Sequence, residues 1–555
     1  MNSLGYIPSA RDQVILKATN SYLSGFTKDN NPGPETVAAE LIEIITNTIT
    51  LANKTQSKET RWPVPTLLSP NSVARCMVHL HHIYRVSLAG PDSGSDADVL
   101  AIYRTDPECY GTYSILKNDF YKLAKRYNAE LSAKDLEETY FQMTILAPQG
   151  RLCDDPNLIP VENGLFNYET KTLEPFDPEK IFLSKPHIGY NPNATNVTIH
   201  NPDDNTKWDL ESWLEDLADG DAEILDLFYK MVGATLRPNV PWNKSVWLYS
   251  TVGNNGKGTL CAMIRELLGP HAHTSVKLTE FAQDFMLEGI IQKQAIITDE
   301  NDVNIFIDKS ANLKAVITND VIQINRKYKT PISYRFRGFM IQCINDQPKM
   351  KDKSDSLYRR MLIVPMMKSF TGKERTYIKN DYLKRKEVLE YLLFKVLNMD
   401  YDKLPEPVAC QKFLLEYKEH NDTVRQFWNE LKPEFRWNML PFTFLYDLYK
   451  SWFKKNVPSG TIQSRTNFIS DLLNVLRGDE EWYCPDKTKQ YRVKDLIVEG
   501  DPLVLQYGLD DWMNKQYTGT NPEVRCLPPL KSSYRGILRL KPIAKVGNLD
   551  IQEDE

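Results

Sequence analysis

The amino-acid sequence predicts an α/β protein with a central core, helical regions before it and a winged-helix pattern after it. Between residues 241 and 370, apolar strand-like segments alternate with segments of helical periodicity, as is typical of an α/β core. The first hundred residues are mostly helical, for instance over 35–54. From about residue 420, helical segments at 442–455 and 464–477, the second capped by Ser464, precede two strand candidates. Helix, helix and hairpin is the order of a winged helix, with the hairpin formed by 480–484 and 490–498.

Length and charge limit the classes of protein. The chain has 555 residues, which favours about three to four domains, and its net charge is 68 − 73 = −5. A protein that coats nucleic acid through an overall basic surface is therefore excluded, and contacts with nucleic acid must come from local clusters. The predicted regions are a helical accessory region (1–95), a mixed α/β and then helical region (96–240), the α/β core (241–370), a helical basic segment (371–415), a winged-helix-like domain (416–495) and a C-terminal extension (496–555). The extension ends in an acidic tail, residues 550–555.

Cysteine spacing and hydropathy exclude further classes. No two cysteines form a CxxC pair, which argues against a zinc finger and against a disulfide scaffold and predicts reduced thiols in an intracellular protein. The first residues lack a signal-peptide core, and no apolar run is long enough to cross a membrane. The cysteines are Cys76, Cys109, Cys153, Cys261, Cys343, Cys410, Cys484 and Cys526.

Two segments before the core have recognisable patterns. Residues 158–176 alternate as strands, with a turn at Glu162-Asn163-Gly164. Residues 203–226 carry ten carboxylates and one lysine above apolar residues at helical spacing, namely Leu210, Trp213, Leu214 and Leu217. Such a run is typical of a solvated helix face.

The most specific motif is a Gly-rich turn between a strand and a helix, residues 245–260. Glycines at 253, 256 and 258 let backbone N–H groups point at a phosphate, and the following helix N-terminus adds positive partial charge. Lys257 supplies a cation for the outer phosphates and Thr259 a hydroxyl near Mg²⁺. The pattern departs from the usual phosphate loop at Thr251, where a glycine is expected, and at Gly258, which follows the lysine directly. The predicted nucleotide-binding residues are Gly253, Asn254, Asn255, Gly256, Lys257, Gly258, Thr259 and Leu260.

Polar residues follow three further apolar segments. Asp299 and Glu300 end the segment 294–300, and we expect Asp299 to hold Mg²⁺ at the tip of the strand beside the loop and Glu300 to polarise the attacking water. Asn345 ends the next apolar strand and suits a sensor of the γ-phosphate, although a strand-capping asparagine is the alternative. Arg359 and Arg360 precede a last apolar strand and suit an arginine finger, which requires an oligomer when it acts on a neighbour's nucleotide.

A basic hairpin is predicted between residues 320 and 338. Two alternating strands surround the turn Tyr328-Lys329-Thr330-Pro331, and from Val321 to Arg337 the chain has five cations and no carboxylate. Cations with an aromatic residue at a hairpin tip suit a nucleic-acid backbone, although a merely solvated hairpin is the alternative. The cations are Arg326, Lys327, Lys329, Arg335 and Arg337.

These segments together resemble the superfamily 3 helicases, in the branch of replication proteins of phages, plasmids, mobile elements and poxviruses known as phage/plasmid primase-helicases. The resemblance covers roughly residues 155–490 and implies a P-loop ATPase core of the AAA+ type at 241–370. It implies a ring, a hexamer, that moves 3′ to 5′ on single-stranded and forked DNA with ATP and Mg²⁺. The motifs that carry it are GNNGKGT (253–259), AIITDE (295–300), LKAVITND to RKYK (313–329), IND (344–346) and LYRR (357–360).

The resemblance also implies roles for single residues. Lys257 and Thr259 bind Mg–ATP, Asp299 and Glu300 form the metal and water site, and Asn345 is the sensor. Arg360 is the first choice for the finger and Arg359 the second. The expected further partners are replication-origin DNA and host replication proteins in a bacterial cytoplasm, with no membrane. The expected DNA-binding residues are Arg326, Lys327, Tyr328 and Lys329.

Three other functions stay open at this point. A primase needs two or three carboxylates that hold metal ions, and the N-terminal candidate is Asp96 with Asp98. His79, His81 and His82 lie nearby in the sequence, and we expect them to be ordinary surface histidines. A small-molecule phosphotransferase shares the GKGT motif but lacks a winged helix. An origin-binding initiator that uses ATP only as a switch would bind DNA through Arg465, Lys487 and Lys489.

Overall fold

The apolar segments between residues 241 and 370 form a parallel sheet in the computed structural model of the chain, which confirms the α/β fold class. The structure describes residues 9–90, 98–303, 305–456, 462–493, 496–528 and 530–541. The chain divides into two units. The first comprises residues 1–348 and 360–411, and the second comprises residues 349–359 and 412–555.

The N-terminal helices of the first unit pack together with the three-stranded sheet that follows them. Strand Ile83–Val86 pairs antiparallel with Val99–Tyr103, and one apolar core extends from Leu23 to Ala147. Described residues on both sides of the boundary expected at 95–96 contribute to this core. The elements here are α1 Ala10–Leu23, α2 Pro34–Asn53, α3 Pro70–Leu80, β1 Ile83–Val86, β2 Val99–Tyr103, β3 Tyr113–Ser114, α4 Lys117–Tyr127 and α5 Ala133–Leu146.

The acidic run contributes to two helices, and aspartates of the run cap the N-terminus of each. Asp209 accepts a hydrogen bond from the Ser212 N–H, and Asp221 accepts hydrogen bonds from two N–H groups of the next helix. Leu210, Leu214 and Leu217 are buried as predicted. The elements between residues 148 and 240 are β4 Leu158–Val161, β5 Gly164–Asn167, β6 Thr172–Glu174, β7 Ile199–His200, β8 Lys207–Trp208, α6 Leu210–Leu217 and α7 Ala222–Leu236.

The central sheet has five parallel strands, and its three middle strands are buried throughout. Such burial on both faces is typical of parallel sheets. The elements in chain order are β9 Ser245–Tyr249, α8 Lys257–Leu268, β10 His273–Thr274, β11 Ala295–Thr298, β12 Phe306–Ile307, α9 Ala311–Ile317, β13 Val321–Arg326, β14 Lys329–Arg335, β15 Phe339–Ile344, β16 Lys349–Met350, α10 Asp355–Tyr358, β17 Met361–Pro365, α11 Thr376–Asn380 and α12 Lys386–Asn398.

The order of the strands across this sheet is β10, β11, β15, β9 and β17. β15 therefore lies between β9, which leads into the Gly-rich turn, and β11, which ends at Asp299. The prediction that the strand before Asp299 lies directly beside the loop strand was wrong. Crossover connections let a strand that comes later in the chain enter between two earlier ones, and a single sequence does not specify this.

The second unit has its own apolar core and a small antiparallel sheet. The two predicted helices and the Ser464 cap are confirmed, since the Ser464 hydroxyl accepts a hydrogen bond from the Asn467 N–H. Besides β16 and α10, the elements are α13 Val408–Asn421, whose first four residues belong to the first unit, α14 Thr423–Leu431, β18 Met439–Pro441, α15 Phe442–Asn456, α16 Arg465–Val475, β19 Trp482–Tyr483, β20 Tyr491–Arg492, α17 Leu503–Gln506, α18 Pro522–Arg525, β21 Ser533–Tyr534 and β22 Gly536–Arg539.

The predicted pairing of 480–484 with 490–498 was wrong. β19 pairs with β22, and β20 pairs with β21, so both partners come from the C-terminal extension. β22 is the central strand of the order β18, β22, β19, and Ile537 is fully buried. Gly536 permits this position, because a Cβ there would lie 2.2 Å from the Leu440 carbonyl oxygen.

Two expectations fall on residues outside the described ranges, namely the acidic tail 550–555 and Asp96. Asp98 is described and precedes β2 directly. Among the described residues, no helix combines the length and apolar character that a membrane crossing requires.

Candidate nucleotide site and basic hairpin

The ends of β9, β11 and β15 bring three predicted polar segments to one edge of the sheet. The strands are parallel and in register, with Ile297 beside Ile341 and Ile344 beside Tyr249. The Gly-rich turn, the Asp299–Glu300 pair and Asn345 each begin where one of these strands ends. In open parallel sheets, this carboxyl edge is where ligands bind.

The Gly-rich turn depends on glycine at one position. Gly256 has a φ of +82°, and a Cβ there would lie 2.3 Å from the Leu217 Cδ1. Asn254 shares the left-handed region with a φ of +54°. Gly253 and Gly258 lie outside that region and have open space where a Cβ would stand. The approach of their backbone N–H groups to a phosphate stays a prediction.

Lys257 is the first residue of α8 and points into the turn. Its side chain is buried, and its Nζ donates a hydrogen bond of 3.3 Å to the Ser250 carbonyl oxygen. Burial lowers the pKa of Lys257. Asn255 is also buried and donates to the Val252 carbonyl oxygen at 2.7 Å, which closes the turn. Thr259 is half-buried in the first turn of the helix, and Leu260 packs in the core.

The carboxylate of Asp299 is held by an arginine that the sequence analysis missed. Arg265 Nη1 donates to Asp299 Oδ2 at 2.7 Å, and its Nη2 donates to the Ile297 carbonyl oxygen at 3.0 Å. The signal in the sequence is an arginine, followed by Glu266, within a mostly apolar helical stretch after the turn. Glu300 and Asn345 are exposed at the same edge.

A cavity of about 590 Å³ opens beside the turn. The turn contributes Asn254, Gly256 and Thr259 to it, and α6 contributes the half-buried Trp213. Phe370 and Ile378 add to the apolar part of the wall. The charged lining residues are four cations and three carboxylates: Lys207, Lys373, Arg375, Lys379, Asp209, Asp216 and Glu374. In the sequence, Trp213 belongs to the predicted apolar stripe beneath the acidic run, and Phe370 ends the predicted core 241–370. Only the fold places both beside the turn.

The basic hairpin is confirmed as β13 and β14, which pair antiparallel with a bulge between Ile324 and Arg326. The turn is tighter than predicted, because Lys329 already belongs to β14 and the turn consists of Lys327 and Tyr328. Tyr328 is 95% exposed and has a φ of +59°. Lys327 lies over the Tyr328 ring at 5.4 Å, and Lys329 pairs with Glu288 at 3.3 Å.

The other predicted cations of this region have different environments. Arg326 is half-buried and donates to the Thr330 carbonyl oxygen at 2.8 Å. Arg335 donates its backbone N–H to the Leu88 carbonyl oxygen, and burial lowers the pKa of Arg337. The exposed cationic tip is therefore formed by Lys327 and Lys329.

The two candidate finger residues differ in exposure. Arg359 is exposed at the end of α10, whereas Arg360 is half-buried immediately before β17. The Arg360 carbonyl oxygen accepts a hydrogen bond of 2.8 Å from the Ser245 N–H, which ties it to the start of β9.

The histidines near the N-terminal sheet make separate contacts. His81 Nε2 lies 2.8 Å from the Tyr127 hydroxyl, and burial lowers the pKa of His81 to about 4. His82 pairs with Asp29 at 3.1 Å, and His79 lies 3.2 Å from the Phe26 carbonyl oxygen. The expectation of simple surface histidines was therefore wrong for His81, which is packed against a tyrosine.

Three protein families match separate segments of the chain. A family described as D5 N terminal like matches residues 40–219, and a Poxvirus D5 protein-like family matches residues 419–500. The resemblance to the poxvirus-like primase-helicase branch is confirmed. The D5-like part begins at residue 40, so the prediction that it begins near residue 155 was wrong. A family of unknown function, DUF5906, matches residues 248–360, which hold the Gly-rich turn and the hairpin.

Solved structures give more distant similarities. An apo structure of the NrS-1 C terminal region is 13% identical, with a TM-score of 0.43, over 85% of this chain and 100% of that one. Another apo structure of that region is 12% identical, with a TM-score of 0.39, over 73% of this chain and 87% of that one. An X-ray structure of JCV helicase is 14% identical, with a TM-score of 0.23, over 38% of this chain and 60% of that one.

Proposed function

We propose that this D5-like chain is an ATP-driven DNA helicase that acts in replication. One observation carries the proposal: the sheet order places the Gly-rich turn with Lys257, the pair Asp299 and Glu300, and Asn345 at one edge. These are the groups that hydrolysis of a nucleoside triphosphate requires, namely a phosphate cradle, an acidic metal and water site, and a polar sensor.

The residues at the turn suit the triphosphate. The N-terminus of α8 presents positive partial charge, and the buried Lys257 adds a full charge where the outer phosphates would lie. Among the described residues its Nζ donates to the neutral Ser250 carbonyl oxygen, so a phosphate would be a stronger partner. The cavity beside the turn would take the base and ribose, with Trp213 as a stacking surface.

The site also fits Mg²⁺. Asp299 Oδ1 is buried and accepts no hydrogen bond from the described residues, so one carboxylate oxygen is available as a ligand. Thr259 would supply the hydroxyl. Bound there, Mg²⁺ would neutralise charge on the β- and γ-phosphates. Arg265 holds the other carboxylate oxygen and so fixes the orientation of Asp299.

Hydrolysis then follows from the placement of the remaining groups. Glu300 would take a proton from the attacking water, whose oxygen forms a bond to the γ-phosphorus while the bond to the β-phosphate oxygen breaks. Asn345 would orient that water. We assign Arg360 or Arg359 to the charge that develops on the transferred group of a neighbouring subunit, so the active species is a ring of several copies, a hexamer by family resemblance.

The hairpin would couple hydrolysis to movement on single-stranded DNA. Lys327 and Lys329 pair with backbone phosphates, and the exposed Tyr328 ring offers a stacking surface for a base. The direction, 3′ to 5′, comes from the family resemblance alone. Stacking on a base would remove the exposed Tyr328 ring from water.

The second unit supports an additional role in binding duplex DNA. Its order of helices and strands, with the sheet order β18, β22, β19, is compatible with a winged helix whose last strand comes from the C-terminal extension. Arg465, Lys487 and Lys489 are all exposed. We propose that this unit binds origin DNA, which makes an ATP-switched initiator the second candidate function.

Strand displacement and primer synthesis separate the candidates. The helicase proposal expects release of the displaced strand from a 3′-tailed duplex with ATP and Mg²⁺, and loss of that release in Lys257→Ala. An initiator would bind origin duplex in an ATP-dependent way without displacing strands. Ribonucleotide polymerisation on a bare template, with no strand displacement, would contradict the proposal in favour of a primase.

A further inference from the structure

Two buried cysteine thiols face each other behind the Gly-rich turn. Cys261 lies on α8 and Cys343 on β15, and their Sγ atoms are 3.4 Å apart. Both side chains are at most 1% exposed, and neither cysteine forms a disulfide. Neither residue has a role in the proposed hydrolysis, so the pair is not explained by that function.

A carboxylate completes the cluster. The ligand atoms of Cys261, Cys343 and Asp299 all lie within 4.8 Å of one another. Asp299 Oδ1 is buried without a hydrogen-bond partner among the described residues, while Arg265 holds Oδ2 at 2.7 Å. A carboxylate with one oxygen fixed and one oxygen available is oriented as a metal ligand requires.

We propose that Cys261, Cys343 and Asp299 form a binding site for a thiophilic divalent cation, of which Zn²⁺ and Cd²⁺ are the test cases. Two sulfurs and one carboxylate oxygen are a ligand set that Zn²⁺ accepts, with water in the fourth position. Each thiol releases its proton to solvent when the cation binds. The Asp299 side chain is 38% exposed, so the cluster borders on solvent at this residue.

The charges around the two sulfurs act in both directions. Lys257 and Arg265 favour the thiolate form, whereas the hydrogen bond with Cys343 and burial raise the pKa of the Cys261 thiol. Two thiolates and one carboxylate carry three negative charges, against four positive charges on a divalent cation and these two side chains. Soft sulfur ligands select against Mg²⁺, so the thiol site and the proposed Mg²⁺ site differ in preference although they share Asp299.

If the proposed function holds, Asp299 belongs both to the thiol site and to the Mg²⁺ site. A cation held by the two sulfurs would take Asp299 Oδ1 away from Mg²⁺ and would therefore inhibit hydrolysis. The structure thus assigns to this cluster an inhibitory metal site inside the nucleotide-binding half of the core.

Metal titration of the full chain tests the site directly. In a buffer with a non-thiol reductant, Cd²⁺ is added and the ultraviolet absorption of thiolate–cadmium bonds is recorded. We expect one equivalent to bind to the wild type, and binding at least about 100-fold weaker in Cys261→Ser and Cys343→Ser. Cys76→Ser is the matched control, because Cys76 is equally buried on α3 outside the site and should leave the titration unchanged.

Separate measurements distinguish an effect of each substitution on folding from an effect on metal binding. Thermal unfolding shows whether each variant is folded, and Cys343→Ala replaces Cys343→Ser if the serine variant is not. A Cd²⁺ titration curve of either cysteine variant that matches the wild-type curve would overturn the proposal. With Mg–ATP present, Zn²⁺ should inhibit the wild type and not the cysteine variants, and equal inhibition of all would also overturn it. If the chain hydrolyses no ATP, the proposed function fails while the Cd²⁺ titration still decides on the site.

Discussion

Arg265 and Asp299 form an ion pair that links the helix after the Gly-rich turn to the strand that carries the acidic pair. Arg265 Nη1 lies 2.7 Å from Asp299 Oδ2, and its other nitrogen donates to the Ile297 carbonyl oxygen. The guanidinium is thus bound at both ends of its fork, which fixes the carboxylate relative to β11. Asp299 is oriented by α8, the same helix that begins with Lys257.

Arg265 is therefore a positioning residue. We expect Arg265→Ala to lower the rate of ATP hydrolysis about 10- to 100-fold, because Asp299 would no longer be held in one orientation. The Mg²⁺ concentration that gives half the maximal rate should rise, which a purely structural role would not cause. Arg265→Lys keeps the charge but loses the fork and should recover the rate only in part. The neighbouring Glu266→Ala is the control, and an Mg²⁺ dependence as large as in Arg265→Ala would contradict the assignment.

Gly256 and Gly253 offer a matched pair of substitutions in one turn. Gly256→Ala places a Cβ in the left-handed region and 2.3 Å from Leu217, whereas Gly253→Ala meets open space. The left-handed conformation alone costs a non-glycine residue about 1–2 kcal/mol. We expect a lower midpoint of thermal unfolding and weaker ATP binding in Gly256→Ala and a wild-type midpoint in Gly253→Ala. Equal midpoints would show that the turn differs from this description.

Trp213 tests whether the base enters the cavity beside the turn. Trp213→Ala should raise the KM for ATP about tenfold while kcat is kept, because stacking of a base on an aromatic ring is worth about 1–3 kcal/mol. Inhibition by inorganic tripolyphosphate, which has no base, should be unchanged. Trp213→Phe should restore much of the affinity. An equal loss for ATP and tripolyphosphate would place the effect at the phosphates instead.

Substitutions at the hairpin tip should affect movement on DNA without affecting ATP hydrolysis in the absence of DNA. Lys327→Ala combined with Lys329→Ala is expected to leave hydrolysis without DNA unchanged, because the hairpin tip lies outside the residues assigned to the nucleotide. Stimulation by single-stranded DNA and strand displacement should be lost, since the phosphate contacts disappear. The control is Lys122→Ala combined with Lys125→Ala on α4, which removes the same amount of positive charge away from the hairpin. Displacement that survives the tip substitutions would refute the hairpin assignment.

Local patterns in the sequence predicted the elements well. The Gly-rich turn, the strands before Asp299 and Asn345, the basic hairpin and the helix after Ser464 all depend on residues close together in the chain. Apolar periodicity, turn chemistry and caps act over a few residues, so they can be read without the fold.

Non-local pairings could not be predicted in the same way. The position of β15 between β9 and β11, the pairing of β19 with β22 and the contact of Arg265 with Asp299 join residues that are far apart in the sequence. Trp213 was read as part of an apolar helix face, and its place at the cavity depends on how α6 packs near the turn. No local signal distinguishes such a residue from an ordinary core tryptophan.

The rate of ATP hydrolysis with and without single-stranded DNA tests the central claim most directly. The wild type should release phosphate, and single-stranded DNA should increase the rate. Lys257→Ala should be inactive under both conditions, while Lys134→Ala, a change on the distant helix α5, should behave as the wild type. A wild type that releases no phosphate with DNA present, or a Lys257→Ala variant as active as the wild type, would contradict the account.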